Sequence, residues 1–229
     1  DLSPSGELIG AFETANASIQ WTTPKQVRDV TWFGASFLGG VSADGAKIVF
    51  SETRRGVPGG RPVYWMGIND ATPTQAGHAR YADISPDGRW VALASMEPSR
   101  LHLIPTEEGT ARELPSHGLV YRYVGFSPDS ANVVFAAMNN ENQSATYIQS
   151  IAGGPPRRIS PFGFNGRRIS PDGRWLMTGN SGCFYLIDLQ EPIPSPRKVR
   201  EATRDQFNGW HADSRRIYCS EVAFDRRSI

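Results

Sequence analysis

One tetrapeptide turn recurs along the whole chain at a nearly constant spacing. Its six copies occupy residues 3–6, 42–45, 85–88, 127–130, 170–173 and 211–214, and successive copies begin 39, 43, 42, 43 and 41 residues apart. A fixed period of about 40 residues is typical of stacked supersecondary units. The clearest copies, Ser85-Pro86-Asp87-Gly88 and Ser170-Pro171-Asp172-Gly173, combine residues that favour a tight turn.

Apolar residues at alternate positions follow each turn, which is the spacing of a β-strand with one face toward a core. Each turn is therefore predicted to be a hairpin that joins an inner strand to a second strand. We expect the aligned apolar residues to be buried between neighbouring units; they are Ile48, Phe50, Val91, Leu93, Val133, Phe135, Leu176 and Ile217.

Two further strands are predicted in most units. Third strands are expected at 17–23, 63–69, 101–106, 145–151 and 183–189, and fourth strands at 24–30, 111–115, 156–160 and 196–201. Four short antiparallel strands per unit make one blade of a β-propeller. The prediction is an all-β fold, a β-propeller of four-stranded antiparallel blades, with about six blades represented in one domain of residues 1–229. Both chain ends are expected to lie within incomplete blades.

The repeats resemble those of a known propeller family. Residues 85–93 and 170–176 are similar to the Ser-Pro-Asp-Gly repeats of TolB-like propellers, which are related to Trp-Asp-repeat propellers, and residues 151–160 resemble that family's link between third and fourth strands. The resemblance covers nearly the whole chain. It implies a bacterial protein in a periplasmic or other extracytoplasmic location, and it also fits the sensor part of a larger membrane-bound protein.

Composition excludes several classes of partner. The formal net charge of +1 gives no basis for nucleic-acid binding. No stretch of 18 apolar residues occurs, so no direct membrane span is predicted, and membrane association is expected only through a partner.

Catalytic and metal-binding patterns are missing from the sequence. The four histidines, His78, His102, His117 and His211, share no metal-ligand spacing. Neither a Gly-x-Ser-x-Gly motif nor a phosphate-binding glycine loop is present. Cys183 and Cys219 are expected to be two buried free thiols. We therefore predict no catalytic residue, no metal and no cofactor.

An aspartate occupies the third position of five turns. These residues are Asp44, Asp87, Asp129, Asp172 and Asp213. They could form an ion-binding rim, but the favoured interpretation is that each one caps its own hairpin through bonds from its side chain to the backbone.

Aromatic and polar residues lie in or just before the predicted inner strands, where they would line the mouth of a central channel. We predict that they bind a protein or peptide partner, because aromatic residues beside arginine are common binding anchors. The set is Tyr81, Tyr123, Arg167, Arg168, Phe207 and Asn208.

These observations favour a non-enzymatic interaction or accessory scaffold, either a subunit of a bacterial assembly or the sensor part of a larger protein. Two alternatives stay open. One is a propeller that gates a prolyl-oligopeptidase-like hydrolase domain, and the other is a propeller lyase that acts on acidic sugars.

Overall fold

The structure, a computed structural model, describes residues 8–12, 18–22, 27–32, 36–52, 60–96, 98–201 and 205–221. These residues form strands and turns, and no membrane-spanning helix occurs among them. The strands make six antiparallel sheets that follow one another along the chain. This arrangement confirms the predicted all-β propeller. The sheets are called blades 1 to 6 in chain order.

Blades 2 to 5 each contain four described strands, whereas blades 1 and 6 contain three and two. Blade 1 comprises β1 (Leu8–Phe12), β2 (Ser18–Thr22) and β3 (Val27–Asp29). Blade 2 comprises β4 (Ser36–Val41), β5 (Lys47–Glu52), β6 (Arg61–Gly67) and β7 (Thr74–Ala79). Blade 3 comprises β8 (Tyr81–Ile84), β9 (Trp90–Met96), β10 (Ser99–Pro105) and β11 (Arg112–Leu114).

Blade 4 comprises β12 (Val120–Phe126), β13 (Asn132–Met138), β14 (Ser144–Ser150) and β15 (Arg157–Arg158). Blade 5 comprises β16 (Asn165–Ile169), β17 (Trp175–Asn180), β18 (Cys183–Asp188) and β19 (Pro196–Glu201). Blade 6 comprises β20 (Asp205–Trp210) and β21 (Ile217–Glu221). In blades 2 to 5 the first strand pairs with the second, the second with the third, and the third with the fourth.

The repeated turns join first and second strands, and a small network of side chains holds each one. In the turn at 85–88, the Ser85 Oγ donates to Asp87 Oδ1 at 2.5 Å and accepts the Trp90 N–H at 2.9 Å. The Asp87 Oδ1 also accepts the Arg89 N–H at 3.1 Å. Gly88 adopts a φ of +70°, a conformation that favours glycine. The turn predicted at 3–6 lies outside the described residues.

Second strands are buried on both faces, whereas the alternating sequence pattern predicted one buried face. In β13, Val133, Val134 and Phe135 are all fully buried. Val133 and Phe135 belong to the core between blades 3 and 4, and Val134 belongs to the core between blades 4 and 5. Blades 2 to 5 each lie between two described neighbours, so both faces of their second strands lose contact with water.

Seven of the eight predicted core residues are buried, with relative exposures of 0–4%. The exception is Ile217 in β21, which is half-buried, so that prediction is wrong. In the described part of blade 6, β20 alone flanks β21, whereas every second strand of blades 2 to 5 lies between two strands.

The fourth strand of blade 2 was not predicted. The β7 strand has the sequence Thr-Gln-Ala-Gly-His-Ala and contains Gly77 at a φ of +147°. Apart from its first threonine, β7 lacks the β-branched and aromatic residues that favour strands. It is a strand because its backbone pairs with β6. His78 therefore lies within a strand.

Candidate partner-binding site at the mouth of the channel

The topology gathers the starts of the inner strands at one end of the propeller. Because neighbouring strands of a blade are antiparallel, the start of an inner strand lies beside the end of the second strand. The hairpins at 139–143 and 180–183 are therefore at that end, which we call the mouth face. The repeated turns lie at the opposite end, which we call the turn face.

Tyr81 and Tyr123 meet across the boundary between blades 3 and 4. Their ring centroids are 4.8 Å apart and the rings are tilted by 48°. Tyr81 is half-buried, whereas 44% of Tyr123 is exposed. Aromatic pairs at this separation stabilise a fold by about 0.5–1.5 kcal/mol beyond their burial. This pair joins two inner strands and still presents an aromatic surface to solvent.

An exposed arginine directly precedes each tyrosine of the pair. The Arg80 Nε donates to the Tyr81 hydroxyl at 3.2 Å, and its guanidinium carbon lies 5.7 Å from the Tyr81 ring centroid. The Arg122 Nη2 donates to the sulfur of Met138 at 3.7 Å. The mouth face of blades 3 and 4 therefore combines cationic, aromatic and thioether groups.

The inner strands carry β-bulges near the mouth face. The pairing register shifts between Tyr121 and Tyr123 in β12, between Gly166 and Arg168 in β16, and between Phe207 and Gly209 in β20. The residues inside these shifts are Arg122, Arg167 and Asn208. A bulge bends its strand and re-aims a side chain, and such irregularities concentrate beside functional sites.

The structure places the remaining predicted contact residues in the inner strands of blades 5 and 6. Arg168 is half-buried in β16, and its backbone oxygen accepts the Trp210 Nε1–H at 3.5 Å from blade 6. Arg167 lies in β16, and Phe207 and Asn208 lie in β20. The side chains of these three residues lie outside the described part of the structure.

Other exposed aromatic side chains also lie at the mouth face. Trp32 precedes β4 and Phe162 precedes β16, and both are 41% exposed. The guanidinium carbon of Arg158 lies 4.0 Å from the Phe162 ring centroid. Ile193 is exposed in the loop before β19 on the turn face, and Tyr218 is exposed at the start of β21, with its ring centroid 5.9 Å from that of His211 in the turn.

The turn aspartates lie on the turn face and bond within their own hairpins. Asp44 Oδ1 accepts the Ser42 hydroxyl and the Ala46 N–H, and these bonds hold the pKa of Asp44 below its ordinary value. The Ser170 hydroxyl lowers the pKa of Asp172 in the same way. For Asp213, the backbone N–H of Arg215 is the main cause of a lowered pKa. These are the contacts that a capping role requires.

Two serines connect the turns of neighbouring blades. The Asp87 N–H donates to the Ser130 hydroxyl at 3.0 Å, and the Asp172 N–H donates to the Ser214 hydroxyl at 2.9 Å. Ser130 and Ser214 replace the glycine that ends other copies of the turn, and they adopt φ values of 59° and 58°. The sequence presents these serines as departures from the repeat, and it does not reveal their contact with the preceding blade.

Two histidines lie close to carboxylates, in separate blades. His102 Nε2 lies 3.4 Å from Glu113 Oε2, and His211 Nδ1 lies 2.9 Å from Asp213 Oδ1. Within the ranges that the structure describes, no three His, Cys, Asp or Glu residues are grouped closely enough to hold a metal ion.

Cys183 is a free thiol, but it is half-buried and not buried as predicted. It begins β18 directly after the hairpin at 180–183, where fewer neighbours cover it. Beside it lies an open cleft of about 260 Å³, lined by Asn165, Asn180 and Phe184 among others. Cys219 lies in β21, and its side chain is outside the described part.

Sequence reasoning missed Arg80 and Arg122. Both residues stand five positions before the first serine of their turns and are separated by one repeat of 42 residues. Tyr81 and Tyr123 show the same spacing, each four positions before its turn. Aligning the repeats on the turn would have shown that these residues occupy equivalent places in adjacent blades.

Comparisons with known proteins support the fold. No protein-family model matches the chain, and no curated protein matches it. TolB from Acinetobacter baumannii is 16% identical with a TM-score of 0.69, and the match covers 88% of this chain and 54% of that protein. The chain thus spans about half the length of that TolB. A putative TolB from Agrobacterium tumefaciens is 14% identical with a TM-score of 0.71, and the match covers 98% of this chain and 89% of that one.

An enzyme is also among the similar structures. An oligogalacturonate lyase in complex with manganese is 14% identical with a TM-score of 0.63, and the match covers 85% of this chain and 62% of the lyase. Likeness at such low identity shows the fold and leaves the function undetermined. The resemblance that the repeats indicated is confirmed at that level: the chain has the β-propeller fold, and the TolB structures are among those that it resembles.

Proposed function

We propose that this chain is a non-enzymatic scaffold propeller that binds another protein or a peptide at its mouth face. The observation that carries the proposal is the Tyr81–Tyr123 pair, which bridges two blades and leaves Tyr123 exposed. Binding energy at protein interfaces concentrates in Tyr, Trp and Arg. Trp32 and Arg122 are exposed on the same face.

The contact surface extends to the inner strands of blades 5 and 6 in this proposal, through Arg167, Arg168, Phe207 and Asn208. The protein acts as a subunit of a bacterial assembly or as the sensor part of a longer chain. Its location is outside the cytoplasm, as the sequence resemblance to TolB-like propellers implies.

The experiment compares two exposed tyrosines at opposite ends of the propeller. Tyr123 is 44% exposed on the mouth face, and Tyr218 is 38% exposed on the turn face. The affinity-tagged protein is recovered from its native source as wild type, as Tyr81→Ala with Tyr123→Ala, and as Tyr218→Ala. We expect the mouth variant alone to lose partners that the wild type retains, with unchanged circular dichroism. Equal recovery of partners by all three proteins would contradict the proposal.

A second candidate function is a lyase that acts on acidic sugars, because a manganese-containing oligogalacturonate lyase shares the fold. The test is the ultraviolet absorbance of unsaturated sugar products when the protein is mixed with oligogalacturonate and Mn²⁺. We expect no manganese-dependent increase in absorbance. A sustained increase that the metal-free protein does not produce would replace the scaffold proposal with an enzymatic one.

A further inference from the structure

We infer that the mouth face of blades 3 and 4 recognises a peptide segment that carries carboxylate side chains, and that Arg80 and Arg122 bind those carboxylates. This inference rests on the proposed function and specifies the chemistry of the partner.

The hydrogen-bonding capacity of the two arginines is largely unused. A guanidinium has five N–H donors. Arg80 uses its Nε on the Tyr81 hydroxyl, and Arg122 uses one Nη on the sulfur of Met138, which is a weak acceptor. Among the described residues, neither arginine has a carboxylate within ion-pair distance.

Several other arginines do have an acidic neighbour. Arg174 donates twice to Asp188 Oδ2, at 3.0 and 2.7 Å. Arg100 lies 3.3 Å from Glu113, and Arg197 pairs with Glu191. Unlike these three arginines, Arg80 and Arg122 have no carboxylate partner among the described residues.

The repeat places the two arginines at equivalent positions next to the two tyrosines of the pair. Arg80 directly precedes Tyr81, and Arg122 directly precedes Tyr123. The two ring centroids are 4.8 Å apart, so the arginines are next in sequence to residues that touch across the boundary between blades 3 and 4. Arginine binds carboxylates with two parallel hydrogen bonds, which gives geometric specificity as well as attraction.

The acidic residues nearest to these arginines along the chain form no ion pair with them. Asp83 is buried, and its Oδ1 accepts the Ile84 N–H at 2.9 Å. The Asp83 carboxylate approaches Gly40 of blade 2 so closely that a Cβ at Gly40 would collide with it. Glu141 is exposed in the hairpin after Met138, and its carboxylate lies beyond ion-pair distance of Arg122.

The surface favours a peptide over an acidic sugar. A sugar ring needs an open, flat aromatic face, but Arg80 lies over the Tyr81 ring and Tyr123 crosses it at 48°. Met138 adds a flexible thioether, a group suited to adaptable protein contacts. An extended acidic segment can place carboxylates on the two arginines while its apolar groups contact Tyr123.

The test uses a fluorescein-labelled peptide rich in glutamate with one tyrosine, and a counterpart with glutamine at every glutamate. Anisotropy titrations compare the wild type with Arg80→Gln combined with Arg122→Gln. Arg89→Gln is the control, because Arg89 is exposed in the same blade but on the turn face. We expect the glutamate peptide to bind the wild type and the control equally, and to bind the double variant at least about tenfold more weakly. Added salt should reduce the difference in affinity between the wild type and the double variant, because it screens the charges.

The outcomes separate this inference from the proposed function. Equal affinity for the two peptides, no loss in the double variant, or no binding of either peptide would overturn the inference. The scaffold proposal would still stand if Tyr81→Ala with Tyr123→Ala loses the partners recovered from the native source. Binding of polygalacturonate in place of the glutamate peptide would overturn the peptide assignment in favour of an acidic sugar.

Discussion

Ser130 offers a sharp test of how neighbouring blades are held together. Its hydroxyl accepts the Asp87 N–H at 3.0 Å across the boundary between blades 3 and 4, and its φ is 59°. Ser130→Ala removes this hydrogen bond and keeps the left-handed backbone. Since a protein hydrogen bond contributes about 0.5–1.5 kcal/mol, we expect the free energy of unfolding to fall by about 1 kcal/mol.

Ser130→Gly removes the same hydrogen bond but also removes the strain of holding a non-glycine residue in the left-handed conformation. A left-handed conformation costs a non-glycine residue about 1–2 kcal/mol, and glycine avoids this cost. Glycine, however, loses more conformational entropy on folding than alanine does, which costs about 0.4–1 kcal/mol. The glycine variant should therefore be more stable than the alanine variant by about 0.5–1 kcal/mol. The order of stability is expected to be Ser130 first, then Ser130→Gly, and then Ser130→Ala.

The converse experiment is available at Gly173, which ends the turn of blade 5 with a φ of +76°. A Cβ added at Gly173 would meet no atom of the described residues within 4 Å, apart from its chain neighbours. Gly173→Ser would place a hydroxyl where Ser130 and Ser214 have theirs, facing the N–H of Asp129 in the preceding turn. We expect Gly173→Ser to be about 1 kcal/mol more stable than Gly173→Ala, because it regains one hydrogen bond.

Urea unfolding followed by circular dichroism measures all four variants, and unchanged slopes show that the unfolded state is comparable. The reasoning would be refuted if Ser130→Ala were as stable as the wild type. It would also be refuted if Gly173→Ser and Gly173→Ala were equally stable, because the hydroxyl would then contribute nothing between blades.

Two further predictions concern the core and the turns. Phe135 is fully buried against the Tyr121 and Tyr147 rings, so Phe135→Ala should lower the free energy of unfolding by about 3–5 kcal/mol in the same urea assay. The control is Ile193→Ala, because Ile193 is 81% exposed. This control should change the free energy of unfolding by less than about 0.5 kcal/mol. Because hydrogen bonds lower the pKa of Asp44, the stability it contributes is complete above its unfolded pKa of about 3.9 and is lost as pH falls through the lower folded value. Ser42→Ala should raise the pKa of Asp44 in a carboxyl NMR titration, and an unchanged pKa would count against the capping network.

The period of the turns was sufficient to predict the propeller, because each blade is a local unit built from consecutive strands. The alternating pattern failed for β13, where both faces are buried, because contact with two neighbouring blades is a property of the ring. It also failed for β7, whose strand depends on pairing with β6 and not on strand-forming residues, which are absent around Gly77.

The candidate site was predictable only in part. Tyr81 and Tyr123 could be placed at the starts of inner strands from the repeat alone, but their contact depends on the angle between blades 3 and 4. The bulge that contains Arg122 arises from a register shift that no residue type signals. The role of Ser130 was hidden because its hydrogen-bond partner, Asp87, lies 43 positions away.

Site-specific photo-crosslinking tests the central claim, that the mouth face is the binding surface, most directly. The full-length protein carries a photoreactive phenylalanine in place of Tyr123 or, as a matched control, in place of Tyr218, and is irradiated in cells of its native source. The account predicts a discrete crosslinked protein or peptide from position 123 and none from position 218. Crosslinks from position 218 alone, or identical products from both positions, would contradict it.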